Sequence, residues 1–321
     1  MLAITQLRRA VLVGACVGGG VWVPQVGGVD AQTGAALAQL PPEHPHTQPP
    51  GGGLPLDLQL LTEDRRSTCS TVFLTTVLGS RHDPMRGGYT KPDFAYFERY
   101  YRSILTIPGG RARAVILHDM LPENITSGFT TGDGAVSFVK VNLSSIDRLL
   151  GLNDLRYLLF EEQVRQHPEW ETVFATDGQD VVVLHNPCTL VEKQPEKVFS
   201  HAQEQHTLKS YTWMKKKFDQ LGGKYMEWFE TAKQNHSMTV LNAGILGGKR
   251  AVVLKALAKL NEVIMDPELP RRKANTQITA NMAAFNYVLR TEFGSDIVYG
   301  FPLHSKWFGF ENRTDVYFWH K

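Results

Sequence analysis

Apolar and polar positions along the chain alternate between two periods. TVFLTTVL from Thr71 and ARAVILHDM from Ala112 are continuous apolar runs of the kind buried on both faces of a sheet, and DFAYFERYYRSIL between them is apolar at helical spacing. AVSFVKV follows as a third strand, and NDLRYLLFEEQVRQH reads as a helix capped by Asn153 or Asp154. Two further strand signals, ETVFAT and VVVLH, enclose the tetrapeptide DGQD. This β-α-β alternation predicts an α/β fold with a mainly parallel central sheet flanked by helices.

The second half is less regular. KSYTWMKKKFDQL and KYMEWFETAKQ read as amphipathic helices separated by Gly222 and Gly223. Then come a strand-like TVLNAGILGG, the helices AVVLKALAKLNEVIM and TANMAAFNYVLRTEF, and a terminal strand DVYFWHK. Trp213, Trp228 and Phe229 are expected in the core beneath their helices, and the run Lys215, Lys216, Lys217 on a solvated helix face. No internal repeat is present, so one folded domain is expected.

Composition adds compartment and excludes one partner class. The chain has 321 residues, 42% hydrophobic, with a net charge of +2, a balance that leaves no electrostatic footprint for nucleic acid. A basic head with Arg8 and Arg9 precedes an apolar, glycine-diluted segment, the order of a secretory signal. Residues 1–30 are therefore read as a cleaved signal peptide or a type II signal anchor that holds the chain to a membrane. Both place the rest in the ER or Golgi lumen or outside the cell. Residues 31–57, rich in Pro, Gly, Gln and Ala, form a flexible stem, and 58–321 the folded unit. Sequons at Asn124, Asn142, Asn235 and Asn312 agree with that address. With Cys16 in the leader, Cys69 and Cys188 are the only pair in the folded part, open to bridging or to two buried thiols.

The chemistry centres on Asp177 and Asp180. A carboxylate at the end of a buried strand is costly unless a cation meets it. Two of them across a glycine-containing turn can converge on one divalent ion, with hard oxygen ligands favouring Mg²⁺, Mn²⁺ or Ca²⁺. The alternative is an Asx-rich surface turn. In parallel sheets ligands collect at the carboxyl ends of strands, where these acids fall.

Here the chain resembles a family. VFATDGQDVVV is similar to the strand and DxD metal motif of the GT-A glycosyltransferases, with one extra residue between the acids. LNAGILGG (Leu241 to Gly248) resembles the NAG or NSG segment these enzymes place over the donor sugar. NMAAFNYVL (Asn281 to Leu289) resembles the D-x-x-x-x-N-x-x-L helix start of retaining members, WHK the site of a third metal ligand, and TVFLTTVL the strand that holds the nucleotide base. The resemblance runs from about Thr71 to Lys321. It implies a single GT-A catalytic domain that moves a sugar from a nucleotide-diphosphate donor, UDP-linked in the family, with Mn²⁺ or Mg²⁺ as cofactor. On this pattern Asp180 binds the metal, Asp177 contacts metal or ribose, and His320 completes the protein ligands. Lys321 meets the diphosphate; Arg156, beside Tyr157 on the preceding helix, reaches a phosphate or Asp177. Thr75 and Thr76 meet base or ribose, and Asn242 and Gly244 lie against the donor. His304, with Lys306, is the rival ligand pair.

One departure bears on chemistry. Asn281 stands where the family carries an acid, so an amide takes the catalytic donor-sugar position. A base for inversion would then come from Glu311 or Asp315. Residues 194–234 are expected to shape an acceptor site for a glycan, protein or lipid. A non-catalytic sugar- or nucleotide-binding protein is the second reading. A metal-dependent phosphohydrolase is the third, which the spacing of the acids and their mid-chain position disfavour.

Overall fold

A computed structural model of the chain describes residues 69–83, 87–89, 93–108, 111–305 and 313–320. The leader, the stem, Lys306, Glu311, Asn312 and Lys321 lie outside the described residues.

The central sheet has seven strands: β1 (Thr71–Val77), β4 (Ala112–His118), β5 (Val136–Lys140), β6 (Thr172–Thr176), β8 (Val198–Thr207), β9 (Thr239–Lys249) and β10 (Ile297–Val298). Its order is β10-β8-β9-β6-β1-β4-β5. Only β9 runs against its neighbours; every other pair is parallel. The expected α/β architecture is thus the observed one. Two short ribbons stand outside it, β2 (His82–Asp83) with β3 (Gly88–Tyr89) and β7 (Val181–Val183) with β11 (Phe318–His320).

The apolar runs are continuous because both faces of the sheet are covered. Along β1, Val72 and Leu74 join one core while Phe73 and Val77 join the other. The first core packs beneath α3 (Leu152–Gln166), α5 (Thr212–Leu221), α6 (Gly223–Ala232), α7 (Arg250–Ile264) and α9 (Asn281–Glu292). The second lies beneath α1 (Phe94–Leu105) and the β7/β11 ribbon. The remaining helices, α2 (Glu123–Phe129), α4 (Cys188–Lys193) and α8 (Pro270–Lys273), are short connectors.

Topology sets the site. From β1 the chain winds outward through β4 to β5, then crosses back to β6 on the other side of β1. Neighbouring parallel strands whose connections diverge leave a crevice outside their carboxyl ends, the switch point where ligands bind in open α/β sheets. Val77 and Thr176 end β1 and β6 there.

Three local expectations differ. Helix α3 starts from Gly151 as N-cap without a side-chain cap, because Asp154 sits inside the first turn and turns its carboxylate to the Ala280 N–H at 2.9 Å. Lys217 is buried while Lys215 and Lys216 are exposed; its Nζ donates to Thr279 Oγ1 at 3.1 Å. Trp213 is only half-buried, packed against the first core while also lining a cavity. Cys69 and Cys188 form a disulfide, Cα atoms 5.9 Å apart, tying the chain ahead of β1 to the start of α4. Asn124, Asn142 and Asn235 are all exposed. Among the described residues no helix is long and apolar enough to cross a membrane.

Candidate functional site

The turn after β6 carries the two acids. Asp177 and Asp180 bracket Gly178 and Gln179, after which the chain leaves the sheet as β7 and pairs with terminal strand β11. That pairing sets His320 opposite Val181 and brings the chain's terminal strand to the switch point. Ligand atoms of Asp177, Asp180 and His320 all lie within 4.8 Å of one another. His320 Nε2 is 3.7 Å from Asp180 Oδ1 and 4.0 Å from Asp177 Oδ2. These are too long for hydrogen bonds. They match two ligands about 2.1 Å from a shared ion, which stand roughly 3 to 4 Å apart.

The surroundings suit the same purpose. Gly244 lies against both ligands: a Cβ there would strike the His320 ring, 2.6 Å from Nε2, and approach Asp177 Oδ2 to 3.0 Å. The glycine sits in a break of the β8/β9 ladder, where Ser200 faces Leu246 but His201 faces Asn242. Ala243, Gly244 and Ile245 thus have no opposite residue on β8, a bulge of the kind that re-aims backbone beside sites. Its carbonyl accepts the Asp177 N–H at 2.9 Å, and its N–H donates to Asn242 Oδ1 at 2.8 Å. Gly178 is fixed similarly, since a Cβ would lie 2.6 Å from Thr75 Oγ1.

His320 is 5% exposed, and burial pushes its imidazole down to about 4 against the opposing pull of Asp177. It is therefore neutral at physiological pH and able to offer a lone pair. Its Nδ1 lies 2.8 Å from Nδ1 of His201, so with that proton shared toward His201 the lone pair is left on Nε2, facing the acids. His201 is fully buried on β8 and held well below its ordinary pKa by burial and then by its two histidine neighbours. The other neighbour, His304, stands 4.3 Å away ring to ring. The expectation of His304 as a rival ligand is corrected: its Nε2 accepts the Gly300 and Ala202 N–H groups at 2.8 and 3.2 Å, and its Nδ1 bonds Ser305 O at 2.8 Å. No lone pair is left for a metal.

Arg156 supplies the cation. Its guanidinium forms an ion pair with Asp177 and donates from Nη2 to Ala243 O at 2.8 Å. Burial opposes its charge, yet Asp177 lifts its pKa above the ordinary value. Two cavities meet at this pair. One, ≈120 Å³, is lined by Thr76, Leu78, Asp83, Tyr96 and the 177–180 turn. The other, ≈200 Å³, is lined by Gln203, Tyr211, Trp213, Asn242, Asn281 and neighbours. Asn153, Arg156 and Asp177 line both.

The expected site residues thus mostly come together. Asp177, Asp180, Arg156, Thr76, Asn242, Gly244 and Asn281 line two adjoining lobes, and His320 stands behind the two acids. Thr75 is fully buried and lies beneath Gly178, its Oγ1 without a hydrogen-bond partner among the described residues. It supports the turn and lines neither lobe. Asp315, weighed as a base, is held in a two-pronged pair with Arg313 at 2.8 and 2.7 Å. Arg313 keeps its carboxyl below the usual range, so it has little capacity to take a proton. Asn286 explains the N-x-x-x-x-N pattern: it caps Leu241 N–H and C=O at 2.8 Å each and locks β9 to α9. His201 and Gln203 were not singled out by sequence reasoning, which marked only the whole stretch 194–234 around them. The chain matches no known protein-family model and no curated protein.

Proposed function

We propose that this protein is a metal-dependent glycosyltransferase of GT-A type, taking a nucleotide-diphosphate sugar, with UDP as the nucleotide in the family it resembles. One observation carries the reading: Asp177, Asp180 and His320 converge within 4.8 Å at the switch point, beside a buried Arg156 and between two lobes. The lobe beside β9 suits a sugar and the smaller lobe beside β1 has room for one ring of the nucleoside, with the diphosphate between. The ligand atoms fit a small divalent ion, Mn²⁺ or Mg²⁺, because two carboxylates and a neutral imidazole bring one ligand atom each within 4.8 Å of one another. Such an ion stabilises the negative charge that develops on a departing diphosphate.

The chain's own groups do the remaining work. Arg156, fixed by Asp177 and Ala243, presents a charge to both lobes without conformational search. Asn281 can donate to one sugar hydroxyl and accept from another. A phosphohydrolase that works through an aspartyl-phosphate needs a free nucleophilic carboxylate, and Asp177 is paired with Arg156. Binding without transfer is the second reading, supported because among the described residues Asp177 is the only acid lining the sugar-side lobe.

The test is incubation of the folded chain with Mn²⁺ and a panel of nucleotide sugars. Release of nucleoside diphosphate, abolished by Asp180→Ala, supports transferase action. Nucleotide binding with no turnover on any acceptor supports the second reading, and inorganic phosphate released from phosphomonoesters the third. A membrane-anchored or secreted lumenal location belongs to the same proposal, supported by three exposed sequon asparagines and a disulfide.

A further inference from the structure

Gln203 has no role in the account so far, yet it is an anomaly. It is 4% exposed, and its Oε1 has no hydrogen-bond partner among the described residues. A buried acceptor left unpaired is costly, and such groups call for a physical reason. Gln203 lines the ≈200 Å³ lobe, at the point where the β8/β9 ladder loses register for a second time, between Gln203 and Thr207.

Two aromatic rings share that wall. Tyr211 and Trp213 have centroids 5.6 Å apart and planes inclined by 32°. Each is braced by another group: His206 stacks on Tyr211 at 4.3 Å, and Lys217 Nζ lies 4.7 Å from the Trp213 centroid. Rings held in this way offer rigid apolar surface at low entropic cost. Four amides, Asn153, Gln203, Asn242 and Asn281, share the lining with the Arg156–Asp177 ion pair, Ala243, Gly244 and Met282. Amides both donate and accept, which complements hydroxyls, and the charges of Arg156 and Asp177 offset one another. The lobe is smaller than the roughly 300–1,000 Å³ that encloses a drug-sized ligand, so it holds one ring and not a chain of them.

We infer that this lobe is a subsite for a single sugar ring, whose C–H face lies on Trp213 and Tyr211 and whose hydroxyl donates to Gln203 Oε1. As the donor's sugar it rests on the proposed function; as a carbohydrate site it stands on the lining alone. Specificity would follow, because an analogue lacking that hydroxyl leaves Gln203 unpaired.

The experiment uses the whole chain with Mn²⁺ and compares wild type with Gln203→Met, which keeps length and loses the acceptor, and Trp213→Leu. Calorimetry reads binding of UDP, UDP-glucose, UDP-galactose and UDP-N-acetylglucosamine; saturation-transfer NMR reads free methyl glucoside and methyl galactoside, with and without UDP. Each variant should weaken the preferred UDP-sugar roughly tenfold and leave UDP unchanged. If instead the variants abolish only the free-glycoside signal seen alongside UDP, the ring belongs to the acceptor. Variants that bind every UDP-sugar and glycoside as wild type does overturn the subsite while the nucleotide reading stands. A wild type that binds neither UDP nor any UDP-sugar ends the nucleotide reading. The glycosides then decide alone: a signal lost in Gln203→Met keeps the subsite, and no signal ends it.

Discussion

Replacing Gly244 by alanine tests the geometry of the centre with one added carbon. Gly244 is not among the positive-φ glycines, so space and not backbone conformation demands a glycine there. The new methyl would meet the His320 ring, 2.6 Å from Nε2, and stand 3.0 Å from Asp177 Oδ2. Neither neighbour yields easily: His320 is bonded to His201 at 2.8 Å and its strand is paired with β7, while Asp177 is held by Arg156. Overpacking of this kind costs about 1–3 kcal/mol, which lowers the melting temperature by roughly 2–4 °C per kcal/mol in a domain of this size. The same methyl occupies the space between two ligands. Wild type at a hundredfold excess of Mn²⁺ over its Kd gains about 2.7 kcal/mol, and Gly244→Ala should gain none. Thermal unfolding in EDTA and in Mn²⁺ reads both effects. Gly128→Ala, where a Cβ meets nothing within 4 Å, serves as the control. A Gly244→Ala protein with wild-type melting in EDTA and a wild-type rise with Mn²⁺ would refute the reasoning.

Three further outcomes are expected. Gly178→Ala should destabilise the chain through contact with Thr75 Oγ1 at 2.6 Å, and Thr75→Ala should restore much of the loss in the double variant; additive losses in urea melts would contradict the contact. Reduction of the Cys69–Cys188 bridge, whose cysteines are 119 residues apart, should cost roughly 2–5 kcal/mol, seen as a lower melting temperature in reducing agent and absent in a double Cys→Ser variant. Asp154 is pushed up to about 7 by burial, against the Ala280 N–H and Lys217, from an ordinary 3.8. The folded state therefore keeps a proton that the unfolded chain releases, and this group's contribution falls as pH rises from near 4 through 7. Asp154→Asn should remove that falling component from the melting temperature measured across pH 4.5–8, and an unchanged difference between variant and wild type at both ends would contradict it.

Much of the architecture was legible because its strands are buried on both faces: β1, β4 and β6 announce themselves as unbroken apolar runs. Strand β8 did not, since only its first six residues are buried and the rest, EQHT, are exposed or half-buried. The run VVV read as a strand but left the sheet, because the turn at Gly178 redirects it toward a terminal segment that no local pattern could locate. The acids and His320 were readable as residue types with a preferred chemistry. Arg156 was expected to reach a phosphate or Asp177, and it pairs with Asp177; which of the two was not legible, because α3 is buried on most sides and its sequence carries no clear polar face from which to read direction. The cluster of His201, His304 and His320 joins three distant segments and exists only in the tertiary fold. Trp213 packs against the core as its helical spacing suggests, but that spacing cannot show that it also borders a cleft.

The central claim is that Asp177, Asp180 and His320 hold one divalent ion that meets a diphosphate. Anomalous diffraction from crystals of the protein grown with Mn²⁺ and UDP tests it most directly. The account predicts one manganese peak bonded to Asp180 and His320, with Asp177 alongside and diphosphate oxygens completing its shell. A peak elsewhere, or no peak at saturating Mn²⁺ and UDP, would contradict it.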